Sequence, residues 1–182
     1  GERTALNFIR HMSGIATMTA SYVTLLGSSG TRLVDTRKTT PGYRELEKYA
    51  VRMGGGFNHR WNLGSAVMIK DNHIAAVGSI AEAVRRARAG APHTATIEVE
   101  TTTLDEVEQA LDAGADIIML DNMTDELMRE AVQLCQGAAI TEASGGITAE
   151  RLTYLASIGV DVISSGALTH SAPAADISLD LE

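Results

Sequence analysis

The chain alternates short apolar runs with longer stretches in which apolar residues recur at helical spacing. The first run, Leu33-Val34, ends in a cluster of charged and hydroxyl residues, and Pro41-Gly42 then turns the chain into a helical pattern. A short apolar run bounded by turn signals predicts a buried strand. Charges at its end belong on an edge, because an unpaired charge in the interior costs several kcal/mol. The same arrangement returns five more times.

This periodicity predicts the order of the elements. A long helix is expected over residues 2–26, because Leu6, Ile9, Ile15 and Met18 recur near helical spacing. Later helices, with polar residues at their starts and glycine near several of their ends, are expected over 43–53, 80–89, 104–113, 125–136 and 148–157. Strands are expected over 31–36, 66–69, 94–99, 116–120, 138–141 and 160–163.

Strands that alternate with helices predict an α/β fold with a parallel sheet. A doubly wound sheet would gather its ligand at one switch point, whereas a barrel brings every strand end to one mouth. Polar clusters follow all six predicted strands, which favours an incomplete (β/α) barrel of about six to seven strands, similar to a TIM barrel. We assign residues 1–170 to this barrel. Residues 171–182 form a tail, in which residues 176–181 alternate polar and apolar and predict an edge strand outside the barrel.

Composition limits the class of protein. With 182 residues, 45% of them hydrophobic and 21% charged, the chain suits a single globular domain. No apolar run approaches the roughly 20 residues that cross a bilayer, and the polar start of the chain does not have the pattern of a signal peptide. The single cysteine, Cys135, excludes an internal disulfide, and its helical context predicts a buried, inert thiol. Together these features favour a cytoplasmic protein.

The charge distribution indicates a small anionic ligand. A net charge of −8 argues against nucleic acid as the main partner. The predicted strand ends, and the glycine-rich segment after the helix expected over 43–53, nevertheless carry a group of bases whose mutual repulsion is costly unless an anion lies among them. Arginine suits bidentate binding of carboxylate or phosphate, and lysine supplies a point charge. The group consists of Arg37, Lys38, His59, Arg60 and Lys70.

Two glycine-containing segments follow the last two predicted strands. They are Ser144-Gly145-Gly146, which precedes a helix, and Ser165-Gly166. Backbone N–H groups at such positions bind phosphate, and barrels often place phosphate at their last two loops. Two acids, Glu100 and Asp121, stand at the ends of other strands. They could hold Mg²⁺, accept hydrogen bonds from sugar hydroxyls, or balance the bases, and the sequence leaves these roles open.

Seven motifs in order resemble the quinolinate phosphoribosyltransferase family, in its C-terminal catalytic domain. The similarity runs in register from Gly1 almost to Glu182. The motifs are Asp35-Thr36-Arg37-Lys38-Thr39-Thr40-Pro41-Gly42, Gly54-Gly55-Gly56 with Asn58-His59-Arg60, Ile69-Lys70-Asp71-Asn72-His73, Glu98-Val99-Glu100, Leu120-Asp121-Asn122, Glu142-Ala143-Ser144-Gly145-Gly146-Ile147 and Thr169-His170-Ser171.

The resemblance implies transfer of a phosphoribosyl group from phosphoribosyl pyrophosphate to quinolinate with decarboxylation. The products are nicotinate mononucleotide, pyrophosphate and CO₂, a step in NAD biosynthesis. It implies catalytic roles for Lys38, Lys70, Glu100 and Asp121. The five bases would hold the carboxylates of quinolinate and the pyrophosphate, and the two acids would hold ribose hydroxyls or Mg²⁺. The 5′-phosphate would lie against Ser144, Gly145, Gly146, Ser165 and Gly166.

The family also has an N-terminal α/β domain before the segment that starts this chain, and the tail of residues 171–182 is expected to pack on that domain. The resemblance therefore implies a homodimer or higher homo-oligomer, in which that domain of a neighbouring subunit closes the site and supplies another arginine. Three alternatives stay open. The chain could be a paralogue with another acceptor, such as the branch associated with molybdenum transport. It could be a Schiff-base barrel aldolase that uses Lys70, or a remnant that binds phosphate without turnover.

Overall fold

The computed structural model describes residues 1–180, which contain six strands and eight helices. The strands are β1 (Arg32–Val34), β2 (Val67–Ile69), β3 (Ile97–Thr101), β4 (Ile117–Asp121), β5 (Ile140–Ser144) and β6 (Val162–Ser164). The helices are α1 (Glu2–Leu26), α2 (Arg44–Met53), α3 (Asp71–Val77), α4 (Ile80–Gly90), α5 (Leu104–Asp112), α6 (Asp125–Cys135), α7 (Ala149–Ser157) and α8 (Ala167–His170).

All six strands form one parallel sheet in the order β1-β6-β5-β4-β3-β2. The order follows the chain and has no switch point, and β1 returns to pair with β6, so the predicted barrel is confirmed and the doubly wound sheet is excluded. Within residues 1–180, β1 and β2 share no ladder. Phe57 lies beside β1 instead, donating its N–H to Leu33 O (2.9 Å) and accepting from Asp35 N (3.2 Å). The barrel is therefore incomplete at this one position.

Short polar side chains start most of the outer helices. Thr103, Thr124 and Thr148 accept the N–H of the residue three positions later, at the starts of α5, α6 and α7. Such caps stabilise a helix by about 1 kcal/mol each. Gly114 and Gly159 follow α5 and α7 with positive φ angles of 74° and 86°, which lets the chain turn into the next strand. These local signals explain why the predicted helices form where they do.

The apolar core lies between the sheet and the surrounding helices. Ile97, Val99, Ile118 and Leu120 are fully buried and belong to the same cluster as the apolar faces of α4 to α7. Because side chains alternate across a strand, the residues between them point into the barrel. Those inward residues include Glu98, Glu100, Met119, Asp121, Glu142 and Ser144. The interior of this barrel is therefore largely polar.

Two strands are displaced from their predicted positions. β3 and β5 run to Thr101 and Ser144, although the predicted strands ended at residues 99 and 141. Glu100 and Glu142 therefore lie within strands instead of just beyond them, because the polar interior accepts them. The short helices α3 and α8 were not predicted either, since their residues resembled polar loops. None of the described helices is both long and apolar enough to cross a membrane.

The tail from residue 171 forms no strand in its described part, which ends at residue 180. It packs on α1 instead: Ala175 N donates to Arg10 O (2.9 Å), and Arg10 Nε donates to Ala175 O (3.0 Å). Gly14 allows this approach, because a Cβ there would collide with the carbonyl of Pro173. Contact of the tail with a preceding domain stays a prediction. Residues 181 and 182 lie outside the described residues.

Candidate active site

A cavity of about 470 Å³ opens at the carboxyl ends of the strands. It brings together residues that are distant in the sequence and that come from all six strand ends and from the segment before β2. Ten of the predicted site residues line it: Arg37, Lys38, His59, Arg60, Lys70, Glu100, Asp121, Ser144, Gly145 and Gly146. The predicted mouth of the barrel therefore exists as a single concave site.

The cationic side chains reach the cavity from segments held by hydrogen bonds. Lys38 is fixed through its backbone, because Thr169 Oγ1 donates to Lys38 O (2.7 Å) and Lys38 N donates to Thr36 Oγ1 (3.0 Å). The guanidinium of Arg60 lies against Met68 Sδ (3.2 Å). Burial, together with the nearby charge of Arg37, lowers the pKa of Arg60 from its ordinary value. Such crowding of positive charge favours the binding of an anion.

His59 faces two buried glutamates inside the barrel. Its Nε2 lies 3.3 Å from Glu142 Oε1 and 3.6 Å from Glu98 Oε2. Burial alone would lower the pKa of His59, but hydrogen bonds and charges from Glu142 and Glu98 outweigh this effect and raise the pKa to about 10. The Arg60 N–H, 2.7 Å from Nδ1, opposes a second ring proton, because Nδ1 accepts this hydrogen bond only when unprotonated. The carboxylates therefore favour a cationic ring, and the backbone favours a neutral one.

The same three residues form the one His and carboxylate cluster in residues 1–180 that could hold a metal ion, with ligand atoms within 4.8 Å of one another. Glu98 Oε1 is buried there without a hydrogen-bond partner among the described residues, and the ion-pair contact of 3.3 Å with His59 Nε2 is the one polar contact of Glu142 Oε1 in that part of the chain. Burial raises the pKa of Glu98, which favours its neutral form. A proton held by the two glutamates, together with the His59 ring, can thus neutralise the negative charge of Glu98 and Glu142 without a metal ion.

Glu100 and Asp121 contribute oxygen atoms on the other side of the cavity. Lys70 Nζ forms an ion pair with Glu100 Oε2, and Asn122 Nδ2 donates to Asp121 Oδ2 (2.9 Å). The second oxygen of each carboxylate has no such partner in the described part of the chain. Mg²⁺ is usually bound by one or two carboxylates together with substrate phosphates, so this donor set fits the predicted metal.

The glycine-containing loop after β5 has a geometry that other residues would not adopt. Gly145 and Gly146 have φ angles of 83° and 58°. A Cβ on Gly145 would collide with the side chain of Asn122, itself at a φ of 53°. Arg151 Nη1 fixes the loop by donating to Gly145 O (3.3 Å) and Gly146 O (3.2 Å). The carbonyls are thereby turned towards Arg151, on the side of α7.

The second glycine segment, Ser165-Gly166, was predicted to line the phosphate site, but neither residue lines the cavity. Ser165 is buried, and its N–H donates to Val34 O (3.1 Å), so it joins β6 to β1 and does not line the cavity. Ser164, one residue earlier, lines the cavity instead. Gly166 lies behind Lys38, where an added Cβ would be 3.1 Å from Lys38 Cδ and 2.9 Å from His170 Nε2. A role of these two residues in phosphate binding stays a prediction.

A larger cavity of about 880 Å³ lies at the opposite, amino-terminal ends of β4 and β5. Its acids serve the fold: Asp116 accepts from Ile97 N (2.7 Å), and Asp161 accepts from Thr141 N (2.8 Å). Cys135, which also lines it, has no exposed surface, and burial raises the pKa of its thiol to about 11. The predicted inert thiol fits these values. Among residues 1–180 this end of the barrel has no comparable cluster of charged groups, so the smaller cavity is the candidate active site.

The sequence model of the quinolinate phosphoribosyl transferase C-terminal domain matches residues 15–180. The chain belongs to the quinolinate phosphoribosyltransferase family. It is 52% identical, over its whole length, to a probable nicotinate-nucleotide pyrophosphorylase (carboxylating) of Bacillus subtilis, and 44% identical to the human nicotinate-nucleotide pyrophosphorylase (carboxylating). It spans 63% of each of these two proteins, which is under two thirds of their length.

Solved structures agree with this placement in the family. The nicotinate-nucleotide pyrophosphorylase of Ehrlichia chaffeensis superposes with a TM-score of 0.95 at 42% identity, covering 100% of this chain and 66% of that one. The enzyme of Francisella tularensis superposes with a TM-score of 0.93 at 48% identity, covering 97% of this chain and 63% of that one. The incomplete six-stranded barrel is therefore the architecture that these relatives share.

For this member of the family, several supporting residues escaped prediction. Asp35 and Lys48 form a fully buried ion pair behind His59, although Lys48 stands in an ordinary helical pattern. Asn122 belongs to the motif Leu120-Asp121-Asn122, but this motif does not indicate that Asn122 packs against Gly145. The inward position of Glu98 could have been found, because it shares one strand face with Glu100. The contact of Lys48 with Asp35 had no comparable sequence signal.

Proposed function

We propose that the protein transfers a phosphoribosyl group from phosphoribosyl pyrophosphate to quinolinate and releases pyrophosphate and CO₂. One observation carries this proposal: a single cavity combines several cations, three carboxylates (Glu100, Asp121 and Glu142) and a glycine loop. Quinolinate brings two carboxylates, and its co-substrate brings a 5′-phosphate and a pyrophosphate. The family and the names of the relatives support the same assignment. Because the chain spans 63% of the two relatives named above, the assay uses the full-length protein.

The proposed chemistry depends on positioning and charge. Arg37, Lys38 and Arg60 would hold the carboxylates of quinolinate, and Lys70 would neutralise the departing pyrophosphate. The pyridine nitrogen attacks C1′ of the ribose as the bond from C1′ to the pyrophosphate oxygen breaks. The carboxylate on C2 then leaves as CO₂, the electron pair of the broken bond stays on C2, and the positive charge of the adjacent quaternary nitrogen stabilises this carbanion. Water supplies the proton that C2 gains, so no covalent enzyme intermediate is required.

Magnesium is proposed as the cofactor, held by Glu100 and Asp121. When bound, it would supply positive charge at the pyrophosphate leaving group. Because Lys70 pairs with Glu100, this lysine would turn towards the phosphates when the carboxylate binds a cation. Chelation of divalent cations should stop turnover, and Glu100→Gln and Asp121→Asn should raise the Mg²⁺ concentration that half-restores it. Unchanged Mg²⁺ dependence in both variants would contradict this assignment.

The decisive experiment follows nicotinate mononucleotide by chromatography and CO₂ from quinolinate labelled in its 2-carboxyl group. We expect one CO₂ for each nucleotide formed, and no product from nicotinate, which lacks that carboxyl group. Lys38→Ala and Arg60→Ala should abolish quinolinate binding in calorimetry while the circular dichroism spectrum stays unchanged. Arg88→Gln, at the opposite end of the barrel, is the matched control. Unchanged affinity in both cavity variants would remove the proposed role of the bases.

The alternatives predict other results in the same assays. A paralogue would use a different pyridine or purine acid with phosphoribosyl pyrophosphate. A Schiff-base aldolase would be trapped on Lys70 by borohydride with a carbonyl substrate. A remnant would bind ligands without turnover in the full-length protein. The ion pair between Lys70 and Glu100 favours a charged, anion-binding lysine over an uncharged amine.

We also propose that the protein is a homodimer or higher homo-oligomer whose neighbouring subunit completes the site. Large apolar side chains are exposed on α1, on α2 and in the segment before β2, which supports a covered surface there. They are Phe8, Ile9, Leu46, Tyr49, Met53, Trp61 and Leu63. Light scattering coupled to gel filtration of the full-length protein tests this, and a monomeric mass would contradict it. A cytoplasmic location likewise stays a prediction.

A further inference from the structure

The two main cationic segments of the site lie on either side of the gap in the barrel. Arg37 and Lys38 follow β1, and His59 and Arg60 precede β2. In the described residues no sheet ladder joins β1 to β2, and a single bridge from Val34 to Phe57 takes its place. Elsewhere in this barrel, hydrogen bonds between strands set the spacing of neighbouring strand ends. At the gap another structure must do so.

Arg44, on the first turn of α2, contacts both segments at once. Its Nη2 donates to Arg37 O (3.1 Å), and its Nε donates to Thr39 Oγ1 (3.1 Å). Its Nη1 donates to Trp61 O (3.2 Å), the residue that follows Arg60. The planar guanidinium has its donors in a fixed geometry, so the three bonds fix the distance between the two segments.

Lys48 repeats this connection one helical turn later. Its Nζ pairs with Asp35 directly after β1 and donates to His59 O (3.1 Å). Asp35 Oδ1 in turn accepts from His59 N (2.9 Å), and Asp35 Oδ2 accepts from Asn58 Nδ2 (2.6 Å). Lys48 and Asp35 are both completely buried. The pair therefore holds the backbone of His59 at its N–H and at its carbonyl.

We propose that Arg44 and Lys48 are positioning residues that set the spacing between the Arg37–Lys38 and His59–Arg60 segments. They replace the missing strand pairing at the gap with side-chain hydrogen bonds from a single helix face. Residues four positions apart lie on the same face of α2, so one rigid helix spans both connections. The inference rests on the proposed function, because the quantity it controls is the affinity for the two carboxylates of quinolinate.

The test compares Arg44→Gln and Arg44→Lys with Arg88→Gln in the full-length protein. Arg88 is the matched control, because its guanidinium also donates two hydrogen bonds to a neighbouring segment, to Asp116 Oδ2 (2.9 Å) and Gly114 O (2.8 Å), but at the opposite end of the barrel. Arg44→Gln should raise the KM for quinolinate on the order of tenfold, since small displacements of binding groups are costly. The KM for phosphoribosyl pyrophosphate should change less than threefold. Arg44→Lys keeps the positive charge but not the planar set of N–H donors, so its KM for quinolinate should rise as much as that of Arg44→Gln.

Hydrogen exchange supplies a readout that does not depend on substrate. Exchange at residues 36–40 and 57–62 should accelerate in Arg44→Gln and stay at the wild-type rate in Arg88→Gln. A wild-type KM for quinolinate in Arg44→Gln would overturn the inference, as would equal increases in both KM values. A wild-type protein that neither binds nor converts quinolinate would refute the proposed function instead. Faster exchange with unchanged quinolinate affinity would leave Arg44 a purely structural role and would also overturn the inference.

Discussion

The buried pair of Lys48 and Asp35 allows a quantitative prediction about stability. In Lys48→Met the methionine fills most of the same volume, but Asp35 keeps only the donors of Asn58 and His59. Both charged side chains have no exposed surface, so solvent cannot compensate for the lost partner. Removal of one member of a buried pair costs about 3–5 kcal/mol. We expect a loss of this size in the free energy of unfolding at pH 8.

The loss should depend on pH in a defined direction. Burial already raises the pKa of Asp35, and Lys48 opposes that effect through its hydrogen bond and its charge. In Lys48→Met the pKa of Asp35 must therefore rise further. A group whose pKa is raised by folding contributes stability below its unfolded pKa and loses that contribution as the pH rises through the folded pKa. The variant should consequently be closer to wild type at pH 5 than at pH 8.

Urea unfolding provides the measurement. The single tryptophan, Trp61, lies with its ring centroid 5.6 Å from Lys48 Nζ, so its fluorescence reports on this segment, and circular dichroism reports on the helices. The double variant Asp35→Asn/Lys48→Met should lose less than the sum of the single variants, with a coupling of about 2 kcal/mol or more. Arg88→Met, at an exposed pair, should lose at most about 1 kcal/mol. A small loss in Lys48→Met or additivity in the cycle would refute the reasoning.

Three further results are expected. Gly145→Ala should destabilise the fold and weaken phosphate binding, because the added Cβ collides with Asn122 and the positive φ costs roughly 1–2 kcal/mol of backbone strain. The control is Gly114→Ala, which has a similar φ but open space around the Cβ and should therefore show the cost of the backbone strain alone. Cys135 should resist iodoacetamide at pH 8 until urea unfolds the protein, and native labelling would contradict its burial. Glu142→Gln should lower the pKa of His59 in an NMR titration. Its stability deficit should be largest below pH 6.5 and shrink as the pH approaches 10, and a deficit independent of pH would contradict the pairing.

The order of the elements and the class of fold could be predicted from the hydrophobic periodicity of the chain. Six apolar runs alternating with helical patterns were enough, because burial of a strand and of one helix face leaves a local periodic signal. Polar residues such as Lys38, Lys70 and Asp121 could be placed at one mouth, because parallel strands in a barrel all end on the same side. The motifs around these residues are sufficient to indicate the family.

The contacts around those residues are visible only in the folded chain. Glu98 and Glu142 looked like strand-end groups, yet they meet His59 inside a polar barrel, since register and strand length depend on neighbouring strands. The tail from residue 171 alternates like a strand but lies on α1, because Gly14 leaves room for it there. The contacts of Arg44 and Lys48 across the gap join positions far apart in the chain. Long-range pairing of this kind leaves no periodic trace in a single sequence, so only the folded chain shows it.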